Sequence, residues 1–267
     1  MAFSRSGSVS FLILAAFFAV LTNQALSSRV TPFIELPSSI ADLESQSDLS
    51  VGSYCESWRL AVETNNAGSW KVVPTKCVSS VAIYYDKGQF ARDYNVVANY
   101  ALAFARTIKL GGDGKDAWVF DIDETLLSNL AYYSAHGYGS EPYNSIAFNE
   151  WVVEGTALGF RASVRLFNAL KKLGFKIILL TGRDEGQRSI TESNLRDAGY
   201  SGWERLLLRG HKDQGKAAVQ YKSEQRESMV KLGFKLHGNT GDQWSDLEGF
   251  AVATRSFKVP NPLYYIP

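Results

Sequence analysis

The chain has few of the features that would assign it to a class at sight. Net charge is only +1 over 267 residues. Lys and Arg are not gathered into a block, so a nucleic-acid or acidic-membrane binder is excluded. There are three histidines, His136, His211 and His237. None has metal-site spacing, and each reads as structural or surface. No Asn-x-Ser/Thr triplet occurs, so N-glycosylation is not expected. There are two cysteines, Cys55 and Cys77. Internal repeats and low-complexity tracts are absent. Beyond Phe11–Leu21 there is no long apolar run, and that one is too short for a comfortable membrane span.

What is present describes a secreted globular chain. At 45% hydrophobic and 21% charged residues, it can bury a core. Arg5 precedes the apolar run, and Ala25 and Ser27 fit the −3 and −1 sites of a signal peptidase. Residues 1–27 therefore read as a leader, with an uncleaved anchor as the competing reading. The mature protein is expected to be soluble and without membrane contact. It should enter the secretory pathway, bound for the extracellular space, cell wall or vacuole. In that oxidising route an isolated cysteine pair is expected as a disulfide, Cys55–Cys77, with two buried thiols as the alternative.

Residues 28–49 carry Pro32, Pro37 and Ser/Asp-rich sequence, an irregular arm. One domain then runs over 50–267. Its first part, 50–110, reads as a helical layer with helices over 50–66, 76–86 and 89–110. In the last of these, Tyr94, Val97, Ala101, Phe104 and Ile108 recur at spacings of three and four. Over 111–267 short apolar strands alternate with helices. Strands are expected at Trp118–Phe120, Phe175–Leu180, Leu206–Leu208, Phe234–His237 and Ala251–Thr254. Helices are expected at 161–173, up to Ala198, and at 216–231. Residues 127–150 read as a Tyr- and Asn-rich loop, and the tail from Pro260 as extended. This alternation implies a doubly wound, Rossmann-like parallel α/β sheet.

Chemistry collects where strands end, as it does in open α/β sheets. The first strand runs into Asp121-Ile122-Asp123-Glu124-Thr125. Two carboxylates two residues apart can converge on one metal ion and one phosphate. The first can attack phosphorus and the second can hand a proton to the leaving oxygen. A calcium loop is excluded, because its sixth and twelfth positions would be Leu126 and Tyr132 instead of Gly and Glu. Thr181-Gly182-Arg183 closes the second strand, and Gly241-Asp242 with Asp246 closes the fourth. Lys222 lies on the helix between. Carboxylates suit Mg2+, a hard cation. A Thr hydroxyl, backbone N–H groups, a Lys and a forked Arg suit phosphoryl oxygens.

On these residues the chain resembles the haloacid dehalogenase-like phosphatases. Their Asp-x-Asp-x-Thr is matched by Asp121, Asp123 and Thr125, their second motif by Thr181, their lysine by Lys222, and their acidic pair by Asp242 and Asp246. More narrowly it is similar to the plant acid phosphatase and vegetative storage protein group. Ser57–Arg59, Asp121–Asn129, Leu179–Arg183, Gly238–Gly249 and Ser256–Pro262 carry that resemblance. It implies a Mg2+-dependent acid phosphatase acting on small phosphomonoesters. Asp121 would be the nucleophile and Asp123 the acid and base. Thr181, Gly182, Arg183 and Lys222 would hold phosphate, and Asp121, Asp123 (through its carbonyl), Asp242 and Asp246 the metal. The stretch Gly155-Thr156-Ala157-Leu158-Gly159 departs from an Ala-Pro-Ala-Leu-like segment of the group. Some storage members lack the nucleophilic Asp; this chain has Asp121. A homodimer stays open.

Rival readings are weaker. Gly210–Ala217 nearly spells a P-loop but places Ala217 where Ser or Thr must bind magnesium. A receiver domain would not need Asp123. Neither cysteine opens a Cys-x5-Arg loop, and Arg-His-Gly is absent. The serious alternative is a storage protein that keeps the phosphatase fold with weak or no turnover.

Overall fold

The computed structural model describes residues 51–267. The expected leader and the arm over 28–49 lie outside the described residues.

Three helices open the described chain: α1 (Val51–Glu63), α2 (Val78–Asp86) and α3 (Gln89–Ala105). A disulfide joins Cys55 of α1 to Cys77, just before α2, with Cα atoms 5.3 Å apart. On α3 the buried positions Phe90, Tyr94, Ala98, Ala101 and Ala105 fall three or four apart and form one face. The helix stops five residues earlier than the apolar spacing suggests. At its end Thr107 and Ile108 N–H groups bond three residues back, to Phe104 and Ala105. Ile108 still packs on the core from outside the helix.

Next come β1 (Asp116–Phe120), β2 (Leu127–Ser128), α4 (Leu130–Ala135), α5 (Ser145–Glu154) and β3 (Leu158–Gly159). They are followed by α6 (Arg161–Leu173), β4 (Lys176–Asp184), α7 (Arg188–Asp197) and β5 (Arg205–Arg209). Last are α8 (Ala218–Lys231), β6 (Lys235–Gly241), α9 (Trp244–Leu247) and β7 (Arg255–Lys258).

The main sheet runs β5-β4-β1-β6-β7, and every pairing is parallel. The order reverses at β1, so a crevice opens at its carboxyl end between β4 and β6. The strands read as near-continuous apolar runs because both faces are covered. Trp118, Phe120, Ile177 and Leu179 face the cluster that includes α3 and α6. Ala117, Val119, Ile178 and Leu180 face Tyr221 and Met229 of α8. Trp118 is fully buried and stacks on Phe257 at 5.5 Å. Its ring passes so close to β6 that a Cβ on Gly238 would lie 2.5 Å from it, so only glycine fits there.

Several expected bounds move. The segment 127–150, expected as a loop, is a small insertion: α4 and α5 lie between β2 and β3, which pair antiparallel. A six-residue helix is too short to display a 3.6-residue period. The Asn144 side chain caps α5 by accepting the Ile146 and Ala147 N–H groups, and Gly155 ends it in the left-handed region. The departing stretch Gly155–Gly159 is thus the exit from α5 into β3. β6 extends four residues past His237, because Asn239 and Thr240 find buried partners in Asp246 O and Trp118 Nε1. The last strand lies at Arg255–Lys258, four residues beyond the expected Ala251–Thr254. Val252 is exposed, and it is Phe257 that turns inward. Helix α8 begins at Ala218, so Lys216 precedes it instead of lying on it.

A third apolar cluster contains Cys55, Cys77, Val81, Tyr132, Tyr133 and Leu263. It joins the disulfide-linked helices, the insertion and the C-terminal tail beside the crevice. Among the described residues, no helix is long and apolar enough to cross a membrane.

Candidate active site

The pentapeptide after β1 folds back on one carbonyl. The N–H groups of Thr125, Leu126 and Leu127 all bond to Ile122 O, and Glu124 adopts φ 57°. This turn places Asp121 and Asp123 on one wall of a cleft of about 550 Å³. Gly182, Arg183, Lys222 and Asp242 line the same cleft.

Carboxylate oxygens of Asp121, Asp242 and Asp246 lie within 4.8 Å of one another, and all three residues are buried. Lys222, from α8, donates to Asp121 Oδ1 at 2.7 Å and also to Asp246 Oδ1. Each carboxylate has further support. Asp242 Oδ1 accepts from Thr125 Oγ1 at 3.1 Å. Its Oδ2 accepts from both Gln243 Nε2 and Asn261 Nδ2 at 2.7 Å. Asp246 Oδ2 accepts the Gln243 N–H. Gly241 leaves the room in which the Asp246 carboxylate sits; a side chain there would collide with it.

Burial holds the Asp121 carboxyl well above the usual carboxylate range, and the charge of Asp246 adds to this; Lys222 opposes it. Burial and the Asp246 charge push Asp242 up to about 6. Burial works against the charge on Lys222, but Asp121 and Asp246 outweigh it and hold the ammonium protonated. With all ionised, three carboxylates and one ammonium leave −2. That matches one divalent cation, and an all-oxygen set suits a hard one. The residues fit a metal of this kind.

Asp123 sits apart from the trio. Arg183 grips it with Nε and Nη2, the latter 2.8 Å from Oδ1, and Asn129 Nδ2 donates to the same oxygen at 2.9 Å. Burial would raise its carboxyl, but the guanidinium and these hydrogen bonds overcome that and hold it below the ordinary range. Arg183 Nη1 is taken by Thr191. The arginine, expected on phosphate, is therefore placed on the acid. Thr181 is buried; its hydroxyl oxygen accepts the Arg183 N–H at 3.1 Å. The structure thus brings Asp121, Asp123, Gly182, Arg183, Lys222, Asp242 and Asp246 together, with Thr181 against Arg183. It places Cys55 and Cys77 elsewhere, in the helical layer.

Sequence reasoning missed several supporting residues. Asn129 joins Asp123 to buried Glu124 and accepts from Trp151 Nε1 of α5. Arg226, fully buried one turn after Lys222, donates to the carbonyls of Asp246, Glu248, Phe250 and Ala251. The i, i+4 spacing of Lys222 and Arg226 was the available signal, since it puts both cations on one helix face. Tyr133, Tyr143 and Phe148 line the cleft from the insertion. Tyr264, Tyr265 and Ile266 line it from the tail.

Residues 41–267 match the profile of the HAD superfamily, subfamily IIIB (acid phosphatase). The chain is 49% identical over 212 residues to Acid phosphatase 1 of Solanum lycopersicum, covering 79% of this chain and 83% of that protein. It is 35% identical over 264 residues to Vegetative storage protein 2 of Arabidopsis thaliana, covering 96% and 99%. Among solved structures, the class C acid phosphatase of Bacillus anthracis superposes with a TM-score of 0.60 at 21% identity, over 72% of this chain and 86% of that one. That last likeness concerns the fold.

Proposed function

The chain belongs to the acid phosphatases of HAD subfamily IIIB, and on that premise we propose how its residues hydrolyse a small phosphomonoester. A carboxylate oxygen of Asp121 bonds to phosphorus while the bond from phosphorus to the alcohol oxygen breaks. Asp123 gives that oxygen a proton. Water then attacks the phosphorus of phospho-Asp121, passing its proton to Asp123, and the phosphorus–Asp121 bond breaks to release inorganic phosphate.

Lys222 balances the charge of the phosphoryl oxygens. The Thr181 hydroxyl, which accepts from Arg183 N–H, keeps its own hydrogen for one of them. Arg183 holds Asp123 ionised in the free protein, so the proton it donates must arrive with the substrate. The second ionisation of a phosphate ester falls near pH 6. At acid pH the ester therefore enters carrying a proton, which accounts for an acid phosphatase with so acidic a carboxyl. Asp121, the Asp123 carbonyl and Asp242 would hold Mg2+, with Asp246 supporting them. When bound, the ion supplies positive charge against the carboxylates and the phosphoryl group.

The observation that carries this reading is the convergence of the Asp121, Asp242 and Asp246 carboxylates, two of them bonded to Lys222, with Asp123 lining the same cleft. A phosphate-release screen over many phosphoesters, with and without Mg2+, tests it on the purified mature protein and on Asp121→Asn. Phosphate release at the wild-type rate by folded Asp121→Asn removes the mechanism. The near-full-length match to a storage protein favours a second reading, in which abundance matters and turnover is slight. Turnover per molecule separates the two. We assign the protein to the secretory route, supported by the Cys55–Cys77 disulfide.

A further inference from the structure

The C-terminal tail is bonded to the acidic turn through Gln243 and Ser245, and the turn's Trp244 is bonded to the first helix. In Gly241-Asp242-Gln243-Trp244-Ser245-Asp246, the carboxylates of Asp242 and Asp246 point to the trio. Gln243 donates to Tyr264 O and accepts the Ile266 N–H at 2.9 Å. Ser245 Oγ donates to Ile266 O at 2.9 Å. Trp244 Nε1 donates to Glu63 O at the end of α1.

Asn261 is the point where the tail reaches the site. It is 1% exposed. Its neighbours Pro260 and Pro262 have fixed φ, so little freedom is lost when it is held in place. Its N–H donates to Glu63 Oε1 at 3.0 Å, and Glu63 Oε2 pairs with Lys258 at 2.6 Å. Its Oδ1 accepts the Leu263 N–H at 2.8 Å, a local Asx turn. Its remaining side-chain group, the amide Nδ2, donates to Asp242 Oδ2 at 2.7 Å.

A carboxylate that rotates about its last bond is a poor ligand, because ordering it consumes binding energy. Here two amides hold Oδ2, while among the described residues Oδ1 accepts a hydrogen bond from the Thr125 hydroxyl alone, which leaves Oδ1 the freer oxygen to serve as a ligand. We propose that Asn261 is a positioning residue: with Gln243 it clamps Asp242 so that Oδ1 faces the cation, and the Pro260–Pro262 tail is thereby a working part of the metal site. This rests on the reading that Asp242 is a cation ligand. Partners that orient ligands in this way are worth roughly 10–100-fold in metal affinity.

The test is direct calorimetric titration of Mg2+ into the full mature protein, free of substrate. Wild type, Asp242→Asn, Asn261→Leu and Asn261→Ser are compared. Serine can keep the local turn by accepting the Leu263 N–H, yet it is too short to reach Asp242, so it stands in if the leucine variant fails to fold. The expected result is a Mg2+ dissociation constant raised at least tenfold in the Asn261 variants. A smaller rise overturns the proposal. So does a lowered unfolding midpoint in chelator with unchanged Mg2+ affinity, the mark of a purely structural residue. If wild type binds Mg2+ and Asp242→Asn does not, the cation reading stands whatever Asn261 does. If wild type binds no Mg2+, both fall.

Discussion

Lys222 donates to Oδ1 of Asp121 at 2.7 Å, although 101 residues separate them in the chain. The same ammonium reaches Asp246, so one cation spans two of the three buried carboxylates. Lys216, six residues earlier, is turned away and pairs with Asp213 and Glu224. A donor of this kind in a dry site is worth roughly 10²–10³ in kcat. Lys222→Ala is therefore expected to lose that much turnover, and Lys216→Ala to change little. Steady-state kinetics on the two variants decide it; a dead Lys216 variant beside an active Lys222 variant reverses the assignment.

Asp123 is expected to matter most when the leaving alcohol is a weak acid and needs its proton. Asp123→Asn should slow alkyl phosphates far more than nitrophenyl phosphate, whose leaving group departs unaided. Rates measured over a series of leaving groups should give a steeper dependence on leaving-group acidity than wild type. Equal slowing across the series removes Asp123 from the acid role.

Far from the cleft, at the opposite end of β1, buried Asp116 lies 2.7 Å from His237 Nε2 and accepts the Gly111 N–H. Burial would raise its carboxyl, but His237 and the Gly111 N–H outweigh this and hold it below the ordinary range. A carboxyl lowered by folding adds stability above its unfolded pKa of about 4, and that stability is lost as pH falls through the folded value. Denaturant midpoints measured from pH 6 down to pH 3 should therefore fall less steeply in Asp116→Asn than in wild type. Parallel curves refute the linkage.

Tyr143 lines the cleft yet is 63% exposed, with its ring 5.7 Å from that of Phe148. An aromatic pairing adds about 0.5–1.5 kcal/mol beyond area burial. Tyr143→Ala should raise KM for aryl phosphates by roughly 2–10-fold. It should leave glycerol phosphate unchanged, because that substrate offers no ring. Equal shifts for both would take Tyr143 out of substrate choice.

How much of this was legible depends on the kind of signal each residue gives. Asp121 and Asp123 follow an apolar run whose burial is obvious from composition, so both the strand and the acids at its end could be placed; Asp242 was found from its Gly-Asp turn instead, because the strand before it ends in His-Gly-Asn-Thr-Gly. Lys222 could be assigned to the helix before the fourth strand, but Lys216, expected on the same helix, lies two residues before its start, so the helical period does not relate the two. The insertion around α4 and α5 was hidden because its helices are short and their outward faces mixed; Ile146 and Val153 are exposed. Asn129 and Asn261 gave no periodic signal, and the i, i+4 spacing of Arg226 from Lys222 placed it on a face without naming its partners. A buried amide or guanidinium is defined by the carbonyls and carboxylates that tertiary packing brings to it, and those lie 20 or more residues away for Arg226 and 19 for Asn261.

The floor of the cleft sets three buried carboxylates against one lysine. Like charges gathered out of water oppose folding, so the site is held at the expense of the rest of the molecule. Replacement of Asp121 by a neutral residue relieves repulsion from Asp246 and Asp242 and leaves Lys222 its partner in Asp246. For a lineage under selection for amount of protein instead of turnover, the first step away from catalysis is thus downhill in stability. Descendants of such a chain can shed chemistry in one substitution while keeping sheet, insertion and disulfide, and a return requires an acid to be buried again.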